Sequence, residues 1–398
     1  MTAIFDGVLS TSGETSGALK IEAPSFRRVA TWAGYAMSNG EAFGPFTLDG
    51  YISRTPDRVA FTRSIVTLDA IRMAGDLTVD SSGDIPNLTG AVGVEGLKLD
   101  ARTADSAANE ENGPSTEKLD FSVLKSANAD LTLRLGKFVA SRLTVDSANV
   151  HLTLKNGLLT AALRDVVFYG GKGTGTLVID GAKNVPDLAA RLSVAGMTMQ
   201  PFLRDSIRAD RVSGTGNLEL EVSARAATEK GIYETLSGEA RLALADGDIR
   251  GVDLTAVPNI VKNLIATRQT GIIGDDAKTP FDRMSVVFTL LNGVAHTDNF
   301  KLEAQKFRVA GAGEIDIVRR TLDFHLETRT AAAILPGSRM EIPPLGVPFR
   351  VHGDWDSLSY GPDVGRLARG LMDAIARDPS RIIRNPGQAL QSLFGLGR

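Results

Sequence analysis

The chain repeats one pattern along most of its length: a short run of alternating apolar and polar residues, a Gly, Asn or Asp turn, then another such run. Leu131, Leu133 and Leu135 alternate with Thr132 and Arg134. Leu143-Thr144-Val145-Asp146, Val150-His151-Leu152-Thr153-Leu154-Lys155 and Leu218-Glu219-Leu220-Glu221-Val222 repeat the pattern. A period of two sends every second side chain to the same face of an extended strand. Many such runs joined by turn residues predict an antiparallel sheet with one oily face and one wet face. What covers the oily face decides what the protein does.

Composition narrows the choices. Hydrophobic residues make up 43% and charged residues 23% of the 398, as in an ordinary folded protein. Aromatics are only 6%, so the interior is aliphatic. The formal net charge of -3 draws no polyanion, and the basic residues form no stripe with interleaved aromatics. Nucleic acid is therefore not an expected partner. There is no cysteine, which removes thiol nucleophiles, disulfides and Cys-ligated metals. Met1-Thr2-Ala3-Ile4-Phe5-Asp6 is neither a basic leader nor an apolar run. No stretch reaches the roughly 18 apolar residues of a spanning helix, so neither a signal peptide nor a membrane span is expected.

Four segments are expected. Residues 1–100 form a β-rich part with one short amphipathic helix near 24–37, strands between Phe46 and Asp80, and a turn at Asp84-Ile85-Pro86-Asn87. Residues 101–118 are small, polar and acidic without a period, and read as a linker or exposed loop. Residues 119–365 carry the strand pattern, with helical turns within 186–206, a hairpin at Asp246-Gly247, a helix over 254–267, a hairpin at Asn292-Gly293 and a proline loop over 331–348. Residues 366–398 continue a helix begun near 363 into a mildly basic, amphipathic tail.

Catalytic and metal chemistry find little support. His151, His296, His325 and His352 are scattered, without metal-ligand spacing, and three fill the polar slot of a strand. Gly170-Gly171-Lys172-Gly173-Thr174-Gly175-Thr176 resembles a phosphate loop in its glycines alone. It lacks the Gly-Lys-[Ser/Thr] ending, and the strand Leu177-Val178-Ile179-Asp180 follows where a helix is needed. A wide glycine turn between strands is the expectation. Arg134, Arg164, Arg241 and Arg350 lie beside apolar strand positions and are expected on the solvated face. No catalytic residue, metal ligand or cofactor is expected, and the protein reads as a non-enzyme.

Between 233 and 316 the residues become recognisable. Tyr233-Glu234-Thr235-Leu236-Ser237-Gly238 is followed by Asp246-Gly247-Asp248-Ile249-Arg250-Gly251-Val252-Asp253-Leu254, then by Thr279-Pro280-Phe281-Asp282-Arg283-Met284. Asn292-Gly293-Val294, Val309-Ala310-Gly311-Ala312-Gly313-Glu314-Ile315-Asp316 and Val351-His352-Gly353-Asp354-Trp355-Asp356 continue the series. Upstream, Asn156-Gly157-Leu158, Phe168-Tyr169-Gly170-Gly171 and Gly175-Thr176-Leu177 belong to it as well. In order and number these motifs resemble the C-terminal region of the AsmA family, over about 120–365.

The resemblance implies a mainly β fold: a long, curved antiparallel sheet forming an open hydrophobic groove, β-taco-like, with a few short helices at its ends. It implies likeness to bridge-like lipid-transfer proteins. The corresponding role is binding or transfer of phospholipid, or another acyl-chain lipid, in bacterial cell-envelope and outer-membrane biogenesis. It places such a protein on the periplasmic side of the inner membrane, with inner-membrane or periplasmic protein partners. Family members carry an N-terminal membrane anchor. None is expected in this chain, which reads as beginning inside the repeating region. A shortened homologue, a fragment and a misplaced start all account for that. The expected groove lining is Leu131, Leu133, Leu135, Val150, Leu152, Leu154, Leu218, Leu220, Leu242, Leu244, Phe288, Leu290, Phe324 and Leu326. The competing reading is a structural or assembly factor for outer-membrane proteins, its sheet packed on itself and its edges holding protein partners.

Overall fold

Strands account for most of the computed structural model, which describes residues 1–32, 44–96, 98–99, 114–140, 142–207, 210–252, 273–305, 307–330, 333–334, 341–342, 346–354 and 357–363. The described chain divides into two compact units. One holds Met1–Met197 and Glu219–Leu236, the other Thr198–Leu218 and the described residues from Ser237 onward.

The first unit opens with β1 (Thr2–Leu9) and β2 (Thr15–Ala23), then α1 (Phe26–Trp32). An antiparallel run follows: β3 (Phe46–Arg54), β4 (Arg58–Leu68), β5 (Ile71–Asp80) and β6 (Asn87–Glu95). The short β7 (Lys98–Leu99) comes next, then a single 3-10 turn at Ser122–Lys125 and β8 (Asn128–Leu135). Next are β9 (Phe138–Ala140), β10 (Leu143–Lys155), β11 (Leu158–Phe168), β12 (Gly171–Asp180) and β13 (Asp187–Thr198). Every neighbouring pair in this unit is antiparallel except β6–β8 and β7–β9, which are parallel. A parallel pair cannot be joined by a hairpin, so β6 and β8 are not hairpin partners.

Residues 115–119, at the end of the segment read as a linker, are held in place. The Ser115 amide donates to the Glu229 carboxylate at 3.1 Å, and the Lys230 amide donates to the Ser115 carbonyl at 2.9 Å. The Leu119 amide donates to the Ala227 carbonyl at 2.8 Å.

After β13 come α2 (Met199–Ile207), β14 (Thr215–Arg225) and α3 (Glu229–Thr235). Thr228 caps α3, its hydroxyl accepting from the Gly231 amide at 3.0 Å. The second unit continues through β15 (Ser237–Val252), β16 (Ile273–Leu291), β17 (Val294–Glu303), β18 (Phe307–Asp316) and β19 (Thr321–Thr330). A two-stranded pair, β20 (Ala333–Ile334) with β21 (Glu341–Ile342), lies within the expected proline loop. The chain then runs through β22 (Gly346–Asp354) and β23 (Ser357–Pro362). Both units are mainly β, each an open, curved antiparallel sheet, with only three short α-helices among the described residues. No described helix is long and apolar enough to cross a membrane.

Several local readings change. Val59-Ala60-Phe61 and Val66-Thr67-Leu68 belong to one strand, β4, bent by a bulge where Arg63 takes φ 51°. Asp246-Gly247 is no hairpin but lies inside the long β15. A Cβ on Gly247 would stand 2.2 Å from the Ser213 carbonyl and 2.4 Å from the Phe281 ring, so the glycine marks a crowded strand. The glycine-rich run at 170–176 is not a wide turn. Tyr169 and Gly170 alone make the connection, both with positive φ, and β12 begins at Gly171. Asn156-Gly157 and Asn292-Gly293 make two-residue turns of the same kind, the latter as expected. The expected helix over 254–267 lies outside the described residues, as does the C-terminal helix from 364 onward.

Candidate functional site

The registers show where the alternation sends each side chain. Leu131, Leu133 and Leu135 of β8 stand opposite Leu152, Val150 and Ala148 of β10, all on one face. Paired residues in a ladder share a face, so a row can be followed from strand to strand. From Leu135 it runs through Ala148, Val166 and Gly173 to Val194. In the other direction it runs through Val94, Met73 and Val66, then Leu48, Ile21 and Ala3. No charged residue interrupts it from β1 to β13. Three further rows, through Leu133, Leu131 and Leu154, run beside it. Polar residues enter them at Ser64, in the row through Leu133, and at Thr15 and Arg54, near one end of the row through Leu154.

The opposite face of the same strands is polar. Thr132, His151, Ala162, Thr176 and Arg191 share one of its rows, and Arg134, Asn149 and Asp165 another. His151 thus lies on the wet face, its Nε2 3.7 Å from the Asp130 carboxylate.

The oily face is accessible along much of its length. Leu131, Leu133, Leu135, Leu152 and Leu154 are half-buried, and Leu177 is 36% exposed. Burial is deepest along the first row, where Ile21, Leu48, Ala148, Val166 and Val194 are buried. At the β2–β3 end α1 covers the face. Val29 packs with Ile21, Ala23, Phe46 and Leu48, and the Phe26 and Phe46 rings are 5.2 Å apart.

The second unit has an oily face of its own. Leu242 and Leu244 of β15 stand opposite Val286 and Met284 of β16. Leu290 lies between Gly238 and Ala295. Leu326 lies between Gly311 and Phe349. Phe288 and Phe324 meet edge to face at 6.3 Å, and Phe300 meets Phe324 at the same distance. Leu218, in the second unit, and Leu220, in the first, are half-buried in β14 between exposed Asn217, Glu219 and Glu221.

The registers thus bring together most of the expected lining within each unit. The same faces also carry Val94, Met73, Val166, Val194 and Phe300, which the sequence reading did not name. The signal for Val94 was present: Leu88-Thr89-Gly90-Ala91-Val92-Gly93-Val94 alternates, but glycine and alanine in three of its seven slots mute the contrast.

The charged groups gather on the wet faces. In the second unit the Asp323 carboxylate accepts from Arg350 Nε at 2.8 Å and Nη2 at 2.6 Å. That hydrogen-bonded pairing holds the Asp323 carboxyl below its ordinary range, against the upward push of partial burial. His325 Nδ1 lies 3.9 Å from the same carboxylate, and His296 Nδ1 lies 3.3 Å from Glu314. Arg191 pairs with Glu221, and Arg241 with Glu239. Among the described residues, no three His, Asp or Glu side chains form a group able to hold a metal ion.

No curated protein and no solved structure gives a significant match to this chain. A model of the AsmA family, which is associated with the bacterial envelope, matches residues 91–300, more than half of the chain. The matched span begins within β6 and ends within β17, and takes in the motif series read from the sequence between 156 and 294. The chain belongs to the AsmA family.

Proposed function

We propose that this protein binds phospholipid by its acyl chains along the oily faces of its two units and passes lipid within the bacterial envelope, without chemistry on it. In this reading it works on the periplasmic side of the inner membrane, with inner-membrane or periplasmic protein partners, in support of outer-membrane biogenesis. One observation carries the reading: apolar rows cross the first unit from β1 to β13, and Leu131, Leu133, Leu135, Leu152 and Leu154 in them are only half-buried while Leu177 is exposed. A sheet that keeps so much aliphatic surface reachable favours an apolar ligand.

The energetics fit an acyl chain. Each CH₂ withdrawn from water is worth about 0.8 kcal/mol, so roughly sixteen carbons offer on the order of 10 kcal/mol before ordering costs. A wall of Leu, Val and Ile supplies that gain without a fixed polar contact, which suits a ligand that slides.

The test is the lipid content of the purified protein by mass spectrometry, with binding of a fluorescent phospholipid alongside. Leu152→Asp puts a charge on the oily face and is expected to weaken binding at least tenfold. His151→Asp, one residue away on the wet face, is expected to leave binding within about twofold. Protein that purifies without lipid and binds none of the probe sinks the proposal. Equal losses in the two variants would overturn the assignment of faces.

A further inference from the structure

The turns along one rim of the first unit are joined into a platform. The Asn128 amide donates to the Pro86 carbonyl at 2.8 Å, linking the β5–β6 turn to the start of β8. The Asn128 side-chain oxygen accepts from the Asn156 amide at 3.0 Å, adding the β10–β11 turn. The Gly181 amide donates to the Gly157 carbonyl at 2.9 Å, adding the β12–β13 turn. The 3-10 turn sits against the same place, where a Cβ on Gly181 would stand 2.9 Å from the Leu124 side chain.

Each of these turns or its flank exposes a large aliphatic side chain. Ile85 is 37% exposed, Val123 64%, Leu158 44% and Val185 39%. The opposite rim differs: its described hairpin turns are Asp69-Ala70 and Tyr169-Gly170, and Tyr169 is buried. Apolar side chains scattered singly over a surface need no explanation, but four on one hydrogen-bonded platform do.

We propose that this platform rests on a lipid bilayer, its four aliphatic tips entering the boundary between headgroups and acyl chains. Composition argues for a bilayer over a protein. Protein interfaces favour aromatic residues and arginine and disfavour lysine. The segments 81–86, 122–126, 156–158 and 181–186 contain no arginine but do contain Lys125 and Lys183, and exposed aliphatics with lysine beside them suit a bilayer surface. Lys125 and, beside Leu158, Lys155 are exposed and form no ion pair among the described residues. Four nearby carboxylates are engaged in local contacts, Asp80 with Ser82, Asp120 with Ser122, and Asp180 and Asp187 with Lys183, while Asp84 beside Ile85 is exposed.

Position adds a second argument. Just behind the tips, Leu154, Leu159, Ile179 and Leu188 make up one end of the oily face. An acyl chain leaving that face over this rim would pass directly into the bilayer. This delivery role rests on the lipid-binding reading, whereas docking itself does not.

The experiment is flotation of the full chain with phosphatidylethanolamine–phosphatidylglycerol vesicles, with circular dichroism to verify folding. Wild-type protein is expected to float. A chain carrying Ile85→Ser, Val123→Ser and Val185→Ser should lose roughly tenfold or more in partitioning, its bound lipid unchanged. In a second variant, Val123→Trp, the added indole emission should shift to the blue on addition of vesicles. Wild-type protein that stays unbound, a triple variant that floats like wild type, or an indole that does not shift overturns the docking proposal. Leu152→Asp separates the two ideas: floating with reduced lipid supports both, whereas floating with undiminished lipid supports docking and sinks the groove.

Discussion

Thr328 is a polar residue in an oily setting. It stands opposite Val309, it is 1% exposed, and its hydroxyl has no hydrogen-bond partner among the described residues. A buried hydroxyl without a partner costs the free energy of its lost hydration. Thr328→Val keeps the branched shape and removes that cost, so it is expected to stabilise the protein by about 1 kcal/mol, read from the urea midpoint. Asp323 shows the opposite case, a charged group that is well served. Its folded-state pKa lies below the ordinary aspartate range because Arg350 hydrogen-bonds the charged form. The stabilisation is therefore fully present above that range and is lost as pH falls through the lowered value. Asp323→Asn should lower the melting temperature near neutral pH, and the gap from wild type should close in strong acid. A gap that persists there would show that the pairing acts through geometry and not through charge.

At the scale of elements, close approach of strands explains both the curvature and the limits of sequence reading. Gly90 of β6 lies in the row of Leu131 and Leu77, and a Cβ there would stand 2.2 Å from the Asp76 carbonyl. Gly173 of β12 is tighter, at 2.0 Å from the Ser193 carbonyl. Both residues lie on the oily face, where neighbouring backbones crowd as the sheet bends. Gly90→Val is expected to cost about 1–3 kcal/mol by pushing β5 and β6 apart, visible as a lower denaturation midpoint. Gly90 and Gly93 hid β6 from the sequence reading, because a glycine slot has no polarity to alternate. Strands rich in Leu and Thr, such as β8 and β10, were legible, since their side chains carry the period directly. Asp246-Gly247 carries the local signal of a hairpin, yet β15 runs through it because pairing with β16 continues on both sides. The seven residues of α3 escaped notice, although Thr228 followed by Glu229 is a capping signal. The parallel β6–β8 pair was beyond local reading altogether, because which strand returns beside β6 depends on a crossover and not on either strand's own residues.

For the whole molecule, the proposed lipid binding makes the arrangement in two units a question of how many acyl chains can be held and how loading fails. Each unit builds its own oily face from its own strands: aliphatic across β8 to β13 in the first, with the Phe288, Phe300 and Phe324 rings set among aliphatics in the second. If lipid lies along both, damage to one face leaves the other able to load. Leu152→Asp should lower the lipid-to-protein ratio in native mass spectrometry without abolishing it. Phe324→Asp should do the same from the second unit, and the combined variant should purify empty. An acyl chain gains free energy in proportion to the apolar surface it covers, so the two partial losses should add when the faces are filled by separate molecules. A single substitution that empties the whole chain would mean that one lipid must engage both faces to be held. That outcome would replace independent sites with a single cooperative one, and it would also predict that neither unit expressed alone retains lipid.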